Sequence, residues 1–358
     1  MGVKTGEVSP RVQALLAAVL FGAGTPLSKI LLGTIDPLVL AGLLYGGAGL
    51  AATLVLAWLL RRGRVGSLRF TLREGLALAG SVLAGGVMAP VLMMHGLHRS
   101  AAGTASLLLN VEAVATSLLA ALVFHEAVGR RIWIAVALVT AGAIVLAWQP
   151  GQPHAISIGL LAVVGACFLW GVDNNLTRLV SSKDPMAIVA VKGWVAGAVS
   201  LGLARAIDVD FPPLPISTGA LAVGSVSFGF SIALFIRALR ALGAARTGAL
   251  FGTAPFMGAL LSWMLLNERP DWGALAALPL MGAGAFLLLT ESHRHVHHHP
   301  ELVHEHSHRH DDAHHDHVHQ PDQERTTEAH THLHRHPPMT HNHTHAPDLH
   351  HRHRHNEE

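Results

Sequence analysis

Charged residues are scarce over the first 290 positions of this chain of 358 residues. Those positions hold 30 charged residues, of which 19 are Lys or Arg and 11 are Asp or Glu. Soluble domains carry about 25% charged residues, so this many charges cannot cover the surface of a soluble globule of this size. The scarcity excludes a soluble protein and indicates that residues 1–290 lie in a membrane.

Cysteine and catalytic motifs are also nearly missing. The one cysteine, Cys167, lies in an apolar run, which excludes a disulfide framework and a cysteine-based metal site. The sequence has no phosphate-binding loop, nucleophile constellation or nucleotide motif, so we expect neither an enzyme nor a nucleic-acid-binding protein. The first apolar run, 12–32, lacks a clear cleavage site after it, and no cleavable signal peptide is expected.

Long apolar runs are what these 290 residues have instead. A spanning helix needs about 20 mainly apolar residues, and the sequence offers ten such stretches. Gly193 and Gly197 share one helix face in the seventh, a spacing that lets membrane helices approach closely. The predicted spans are 11–32, 37–60, 72–95, 101–124, 131–148, 156–178, 186–206, 217–240, 244–266 and 272–290.

The ten spans divide into two related sets of five. Residues 97–146 match residues 239–288 at a shift of 142. A weaker match precedes it, in which Asp36 and Asp184, each followed by proline, are related by a shift of 148. Self-similarity of this kind indicates an internal duplication. We therefore predict two five-helix repeats.

The distribution of Lys and Arg predicts the orientation. One side of the membrane receives 14 of these residues in loops and helix ends, and the other side receives 4. The richer side is cytoplasmic by the positive-inside rule, so we expect a multi-pass protein of the inner (plasma) membrane with both termini in the cytoplasm. Because each repeat has an odd number of spans, the second repeat is inverted, as in many transporters. The predicted domains are the first repeat at 1–150, the second at 151–290 and a tail at 291–358.

Several motifs of the two copies are typical of one family. A Glu closes the fourth helix in Phe124-His125-Glu126 and in Leu266-Asn267-Glu268, and the fifth helix of each copy ends in Ala-Gly-Ala. With these motifs the chain resembles, over about residues 11–290, the EamA family of the drug/metabolite transporter superfamily. The resemblance implies an all-α membrane fold of ten helices in two inverted repeats and a transport function. It leaves the substrate open, because the family moves amino acids, metabolites, nucleotide-related compounds and drugs.

Three charged residues lie at least five positions from the ends of the predicted spans, and a charge at the centre of a spanning helix costs about 2.5–3.5 kcal/mol. Glu112 lies in the fourth span, Asp173 in the sixth and Lys192 in the seventh. One hypothesis is that they face a central cavity and bind a polar substrate or a coupling proton. The alternative is that Asp173 and Lys192 neutralise each other and only hold neighbouring helices together.

Three further residues are candidates with a structural alternative. Trp170 and Asn174 are four residues apart on one helix face, where they form either an aromatic wall beside an amide for an organic substrate or ordinary packing. His95, near the end of the third span, is a candidate substrate-binding residue or a solvated histidine. Glu268, like its counterpart Glu126, precedes a helix whose positive N-terminus favours a carboxylate, so we expect a structural role for both.

The last 68 residues have a different composition, with 24 of the 28 histidines and little that can be buried. We expect this tail to be disordered. Its histidines mostly alternate with other residues, and imidazole binds transition metals such as Ni, Zn and Cu. The predicted metal ligands are His293, His295, His297, His304, His306, His308, His310, His315, His317, His319, His330, His332, His334 and His336.

Together these features predict a secondary transporter, and we expect an exporter that works by alternating access. Its substrate is a small metabolite, a metal chelate or a metal ion, and Glu112 or Asp173 carries the coupling proton. No cofactor is required, although the tail is expected to bind a divalent transition metal (Ni, Co, Zn or Cu). The expected partners are the substrate and the lipid bilayer, and the chain is a monomer or a homodimer. The alternative is a membrane-anchored metal sensor or buffer whose tail is the working part, and a pH-sensing role for the histidines also stays open.

Overall fold

A computed structural model describes residues 8–63, 65–66, 68, 70–123, 129–148, 157–181 and 183–289, together with four strands between 293 and 345. The part up to residue 289 is a bundle of ten helical segments, labelled α1 to α10 in chain order. Their bounds are Pro10–Leu31, Pro37–Arg61, Leu72–His98, Ala102–Leu122, Arg130–Ala147, Ile158–Arg178, Pro185–Ala206, Leu214–Leu242, 244–265 and Trp272–Leu289.

All ten predicted spans occur in the bundle, with ends that differ from the predicted ones by at most three residues. Within the described residues, nine of the segments are long and apolar enough to cross a membrane, and α10 is a shorter apolar helix. Large apolar side chains lie on the outside of the bundle, such as Trp58, which is 43% exposed, and Phe286, which is 62% exposed. An apolar exterior suits lipid, which confirms an all-α membrane protein.

The two Asp-Pro pairs that mark the duplication begin the second helix of each repeat. Asp36 accepts a hydrogen bond from the backbone N–H of Leu38 at the start of α2. Asp184 accepts one from the backbone N–H of Met186 at the start of α7. The proline after each Asp has no N–H to lose in the first helical turn. The repeated dipeptide is therefore a helix start that both copies keep.

The repeats also share their irregularities. The third helix of each copy has a π-helical stretch, at Val82–Met88 in α3 and at Ser225–Phe230 in α8. The fourth helix is divided in both copies: α4 consists of Ala102–Leu108 and Val111–Leu122, and α9 of Ala244–Phe251 and Ala254–Leu265. Pro90 lies just after the π-helical stretch of α3, and Pro255 lies just after the division of α9. Each proline is in the first turn of the helical segment that follows, where its missing N–H removes no helical hydrogen bond.

Glycine brings the second helices of the two repeats into contact. A Cβ added at Gly193 of α7 would collide with the backbone of Gly49 of α2, and one added at Gly197 would lie 3.0 Å from the backbone N of Gly46. The predicted pair Gly193 and Gly197 therefore does serve close helix packing, as small residues do in membranes. Its partners are glycines of the other repeat.

The remaining contacts interleave the repeats. Helix α1 packs against α8 and α9, and the equivalent helix α6 packs against α3 and α4. The two fifth helices, α5 and α10, pack against each other. Each repeat therefore buries its first helix in the other repeat, so the centre of the bundle lies between the two copies.

A separate unit, Ser292–Ala346, contains two antiparallel two-stranded sheets. The strands are β1 (His293–His299), β2 (Leu302–His308), β3 (His330–His336) and β4 (Met339–His345), with β1 paired to β4 and β2 to β3. In these four segments the alternation of histidine with other residues has the two-residue period of an extended strand. The disorder expected for the tail as a whole stays a prediction.

Candidate functional site

A cavity of about 290 Å³ lies at the centre of the bundle. Its lining comes from α1 to α4 of the first repeat and from α6, α7 and α8 of the second. Five of the six candidate substrate-binding residues line it, namely Glu112, Trp170, Asp173, Asn174 and Lys192. Residues from three separate predicted spans thus meet in one place.

Many positions that line the cavity are related by the duplication, but the residue types at related positions differ. Six pairs of lining residues are related by the duplication, at shifts of 149 or 148. The pairs are Phe21 with Trp170, Gly24 with Asp173, Thr25 with Asn174, Ser28 with Thr177, Leu44 with Lys192 and Tyr45 with Gly193. Only the second repeat contributes the ion pair, and its counterparts in the first repeat are Gly24 and Leu44. The backbone therefore accommodates uncharged residues at both places.

Asp173 and Lys192 form an ion pair between α6 and α7. The Lys192 ammonium lies 2.5 and 2.6 Å from the two Asp173 oxygens. Asp173, which is 6% exposed, also accepts hydrogen bonds from the hydroxyls of Ser81 at 2.5 Å and Thr177 at 2.9 Å. A buried carboxylate with this many donors has its charge compensated within the protein. The geometry thus matches the alternative in which the two charges neutralise each other, although both groups border the cavity.

The π-helical stretch of α3 makes room for Asp173. A Cβ added at Gly85 would collide with the Asp173 carboxylate, so this position requires glycine. The backbone carbonyl of Gly85 accepts hydrogen bonds from the Tyr45 hydroxyl at 2.6 Å and from the Trp170 indole N–H at 3.0 Å. The polar ends of both aromatic side chains are thereby fixed while their rings border the cavity.

Glu112 lies in the first turn of the second piece of α4, directly after the division of that helix. Among the described residues its side chain receives one hydrogen bond, from the Asn174 amide to Oε1 at 2.9 Å. Asn174 also donates to the Thr116 hydroxyl at 3.1 Å. The helix N-terminus favours a negative charge here, but no cationic side chain of the described residues lies within ion-pair distance of Glu112. Glu112 is thus a carboxylate that borders the cavity without a fixed counter-ion.

Aromatic and sulfur-containing side chains form the apolar wall. Phe21 of α1 and Phe228 of α8 meet edge to face, with ring centroids 5.5 Å apart. Met93 and Met94 of α3 line the cavity with them. Rings and thioethers accept apolar and cationic groups, so this wall suits the body of an organic molecule.

His95 does not join the other candidates, because it is not among the residues that line the cavity. It lies one residue beyond Met94 on α3, and its Nδ1 is 2.9 Å from the carbonyl oxygen of Val91. The lining residues Pro90, Met93 and Met94 have the i, i+3, i+4 spacing of one helix face, and His95, at i+5, lies outside that face. The expectation that His95 binds substrate thus finds no geometric support in this structure.

Metal-ligand clusters are absent from the part of the chain that was described. Between residues 8 and 289, outside the undescribed gaps, no group of three His, Cys, Asp or Glu side chains is close enough to hold a metal ion. Cys167 is buried, with its thiol 3.5 Å from the carbonyl oxygen of Leu108.

Ten of the fourteen predicted tail ligands lie on β1, β2 and β3. His293, His295 and His297 of β1 are register partners of His345, His343 and His341 of β4. His304, His306 and His308 of β2 are register partners of His334, His332 and His330 of β3, and His336 is the partner of Leu302. The remaining predicted ligands, His310, His315, His317 and His319, lie outside the described residues.

Glu268 has a structural role, but not at the helix that follows it. Its two carboxylate oxygens accept hydrogen bonds from the backbone N–H groups of Ala102 and Gly103, both at 2.8 Å, and so cap the start of α4 in the other repeat. The cap of the following helix is Asp271, which accepts from the backbone N–H of Ala274. Glu126, the counterpart of Glu268, lies outside the described residues.

Lys29 closes the same end of the bundle. Its ammonium donates to the backbone carbonyls of Leu97, His98 and Ser100 at 2.7 to 3.1 Å. Together with Glu268, it ties α1, the α3–α4 connection and the α9–α10 connection to one another. We call this set of five hydrogen bonds the Lys29–Glu268 clasp.

Sequence reasoning missed several residues of the site. Ser81, Gly85 and Thr177 position Asp173, and Tyr45 shares the Gly85 carbonyl with Trp170. Tyr45 is the single tyrosine of the chain and lies inside a span, which was a usable signal. The role of Gly85 depends on a contact between two helices, and composition alone does not reveal it.

Comparison with known proteins agrees with this architecture. A curated relative from Methanothermobacter thermautotrophicus, described as an uncharacterized transporter, is 29% identical over 271 residues, which is 72% of this chain and 79% of the relative. A crystal structure described only as that of a protein superimposes with a TM-score of 0.53 at 18% identity, and covers 79% of this chain and 96% of its own. That likeness concerns the fold alone.

The family model of the EamA-like transporters matches twice, at residues 11–148 and 157–290. The two matches coincide with the two five-helix repeats and cover the whole bundle. A transporter family accounts for a ten-helix bundle with a central cavity, and it makes this chain a transporter and not an enzyme. The chain belongs to the EamA-like transporter family.

Proposed function

We propose that this chain is a secondary transporter that exports a small organic solute or a metal chelate in exchange for protons. The observation that carries the proposal is the central cavity between the two repeats, in which Glu112 borders an aromatic wall without a fixed counter-ion. Transporters built from inverted repeats bind substrate near the midplane, where the repeats meet. A carboxylate at that depth is costly unless a proton or a cation accompanies it, so Glu112 is our proton carrier.

An organic solute is favoured over a bare metal ion. The described lining contains one carboxylate without a fixed partner, and the described residues of the bundle contain no group of three metal-ligating side chains. Transition metals bound by protein need several ligands at one point. Apolar and aromatic side chains instead make up most of the wall.

The orientation is part of the proposal. The positive-inside rule puts both termini in the cytoplasm and the protein in the inner membrane, with the Lys29–Glu268 clasp on the extracytoplasmic side. Alternating access then requires a second conformation in which the bundle opens on the extracytoplasmic side and the clasp breaks. We further propose a monomer or a homodimer, since the cavity is formed by one chain.

We propose that the tail binds a divalent transition metal, with Ni, Co, Zn and Cu as candidates. The register of the strands supports it, since six histidines of β1 and β2 have histidine partners on β4 and β3. Residues opposite each other in an antiparallel pair are direct neighbours in the sheet, and imidazole is a common ligand of these metals. The same observation favours the second candidate function, a membrane-anchored metal sensor or buffer whose tail is the working part.

Complementation distinguishes the two functions. A strain without the gene receives the full chain, the Glu112→Gln variant or a chain that ends at residue 290, and its tolerance of Ni, Co, Zn and Cu is profiled along with that of toxic organic amines. A transporter predicts loss of tolerance with Glu112→Gln and retention of part of it without the tail. Full tolerance with Glu112→Gln, together with complete loss on tail removal, contradicts transport and supports the sensor.

A further inference from the structure

The charges of the cavity do not balance. Three lining side chains carry a full charge when ionised, namely Glu112, Asp173 and Lys192. Asp173 and Lys192 cancel each other across a distance of 2.5 Å. The net charge that the described lining presents to a solute is therefore the single negative charge of Glu112.

Lys192 is not available to a substrate carboxylate. Its ammonium already contacts both Asp173 oxygens and lies 3.4 Å from the Thr177 hydroxyl. An anionic or zwitterionic solute would have to separate this pair, which would leave the Asp173 carboxylate buried without its cation. Breaking a buried pair in that way is strongly unfavourable, so the geometry disfavours solutes that carry a carboxylate.

Glu112, in contrast to Lys192, is available to a solute of opposite charge. The cavity that Glu112 borders also contains the Asp173–Lys192 pair and Tyr45, and the described hydrogen bond to Glu112 comes from the neutral Asn174 amide. None of these groups supplies a positive charge that is not already used. A cation that enters the cavity supplies it, and it competes with a proton for the same oxygen atoms.

The apolar wall restricts the shape of that cation. Phe21, Phe228 and the rings of Tyr45 and Trp170 border the cavity, and the polar ends of the last two are occupied by the Gly85 carbonyl. Aromatic faces attract ammonium groups and accept apolar carbon. A volume of about 290 Å³ lies at the lower end of ordinary small-molecule pockets.

We propose that the transported solute is a small amine with one positive charge and an aromatic or branched apolar body, bound through its ammonium group to Glu112. This inference rests on the proposed transport function and goes beyond it by naming the substrate class. Proton and amine then share one carboxylate, so amine affinity falls as the solution is made more acidic. Glu112 sets the preference for the cation, and the Asp173–Lys192 pair only disfavours anions because Lys192 is already paired.

Four probes with the same phenyl ring test the class on the purified full-length chain. They are 2-phenylethylamine as the cation, 2-phenylethanol as the neutral analogue, phenylacetate as the anion and phenylalanine as the zwitterion, each titrated by calorimetry. We expect the cation to bind at least about tenfold more tightly than the other three, a difference well within what one charge pair supplies at a partly wet site. This comparison needs no variant.

Two variants assign the preference to Glu112. Glu112→Asp keeps the charge and is expected to keep the preference for the cation. Glu112→Gln removes the charge and is expected to bring 2-phenylethylamine to the affinity of 2-phenylethanol. The repeat counterpart of Glu112 is Ala254, which indicates that the fold tolerates an uncharged residue there.

The outcomes separate the substrate class from transport itself. A preference for phenylacetate or phenylalanine, equal affinity for all four probes, binding of none, or an unchanged preference in Glu112→Gln overturns the substrate class. Counterflow of 2-phenylethylamine in proteoliposomes then tests transport independently. Preferential binding without counterflow upholds the cation site and contradicts the proposed function.

Discussion

The Asp173–Lys192 pair yields the prediction that most clearly distinguishes a role in stabilising the fold from a role in binding substrate. Replacement of Asp173 by Asn keeps the hydrogen-bonding shape but leaves the Lys192 ammonium, with its side chain 16% exposed, without its carboxylate. Removal of one partner of a buried pair costs about 3 kcal/mol or more. The double variant Asp173→Asn/Lys192→Met removes both charges, and replacement of both partners of a buried pair by uncharged residues of similar volume is often neutral or stabilising.

Thermal unfolding in detergent measures the difference. A loss of about 3 kcal/mol lowers the Tm by roughly 6–12 °C for chains of this order of size, and we expect that shift for Asp173→Asn and recovery of most of it in the double variant. Asp208→Asn is the matched control, because Asp208 forms an exposed pair with Arg205 at 3.3 Å, with both side chains at least 75% exposed. An exposed pair of this kind contributes little to stability, so the control should unfold at the temperature of the unmodified chain.

Two results would refute the reasoning. If Asp173→Asn unfolds at the temperature of the unmodified chain, Lys192 does not depend on Asp173 for its compensation. If the double variant is as unstable as the single one, the cost comes from lost hydrogen bonds with Ser81 and Thr177 and not from the uncompensated charge.

Two further contacts give matched predictions. Gly193→Ala should lower stability by about 1–3 kcal/mol, because its Cβ would collide with α2, whereas Gly202→Ala on the same helix meets nothing within 4 Å and should have no such cost; equal Tm values for the two variants would rule out the close-packing explanation. Glu268→Ala should speed hydrogen exchange at the amides of residues 102 and 103, which it caps. Asp271→Ala, which removes only the local cap of α10, should leave that exchange unchanged, and the reverse pattern would disprove the clasp.

The sequence was sufficient for the number of helices and their approximate ends. Apolar runs of about 20 residues have few alternatives in a chain with so little charge. The duplication also predicted which helices correspond. Even the Asp-Pro pairs of α2 and α7 have the same structural role in both repeats, because a helix start depends on adjacent residues alone.

Contacts between distant residues were harder to foresee. Glu268 was expected to favour the helix after it, yet it caps α4, 166 positions away in the chain. The local position after it was already taken by Asp271, and sequence spacing does not reveal which helix end lies opposite a side chain. The same holds for Gly85, whose missing side chain accommodates Asp173 of the other repeat.

The site itself was partly predictable. Ionisable residues in spans are costly, so Glu112, Asp173 and Lys192 stood out without a structure. Which of them keeps a charge that is free to act was not predictable, because it depends on the 2.5 Å contact between Asp173 and Lys192. His95 lies away from the cavity because of its angular position around α3. The sequence did not give that position, since the predicted ends of the span are uncertain by a few residues.

The proton flux that depends on Glu112 is the quantity whose measurement tests the account most directly. The full-length chain is reconstituted in vesicles that contain a pH-sensitive dye, and 2-phenylethylamine is added on one side under conditions that clamp the membrane potential. We predict a proton flux opposite to the amine that is present in the unmodified chain, retained in Glu112→Asp and abolished in Glu112→Gln. A proton flux of equal size in Glu112→Gln would contradict the central claim that this carboxylate couples proton and solute.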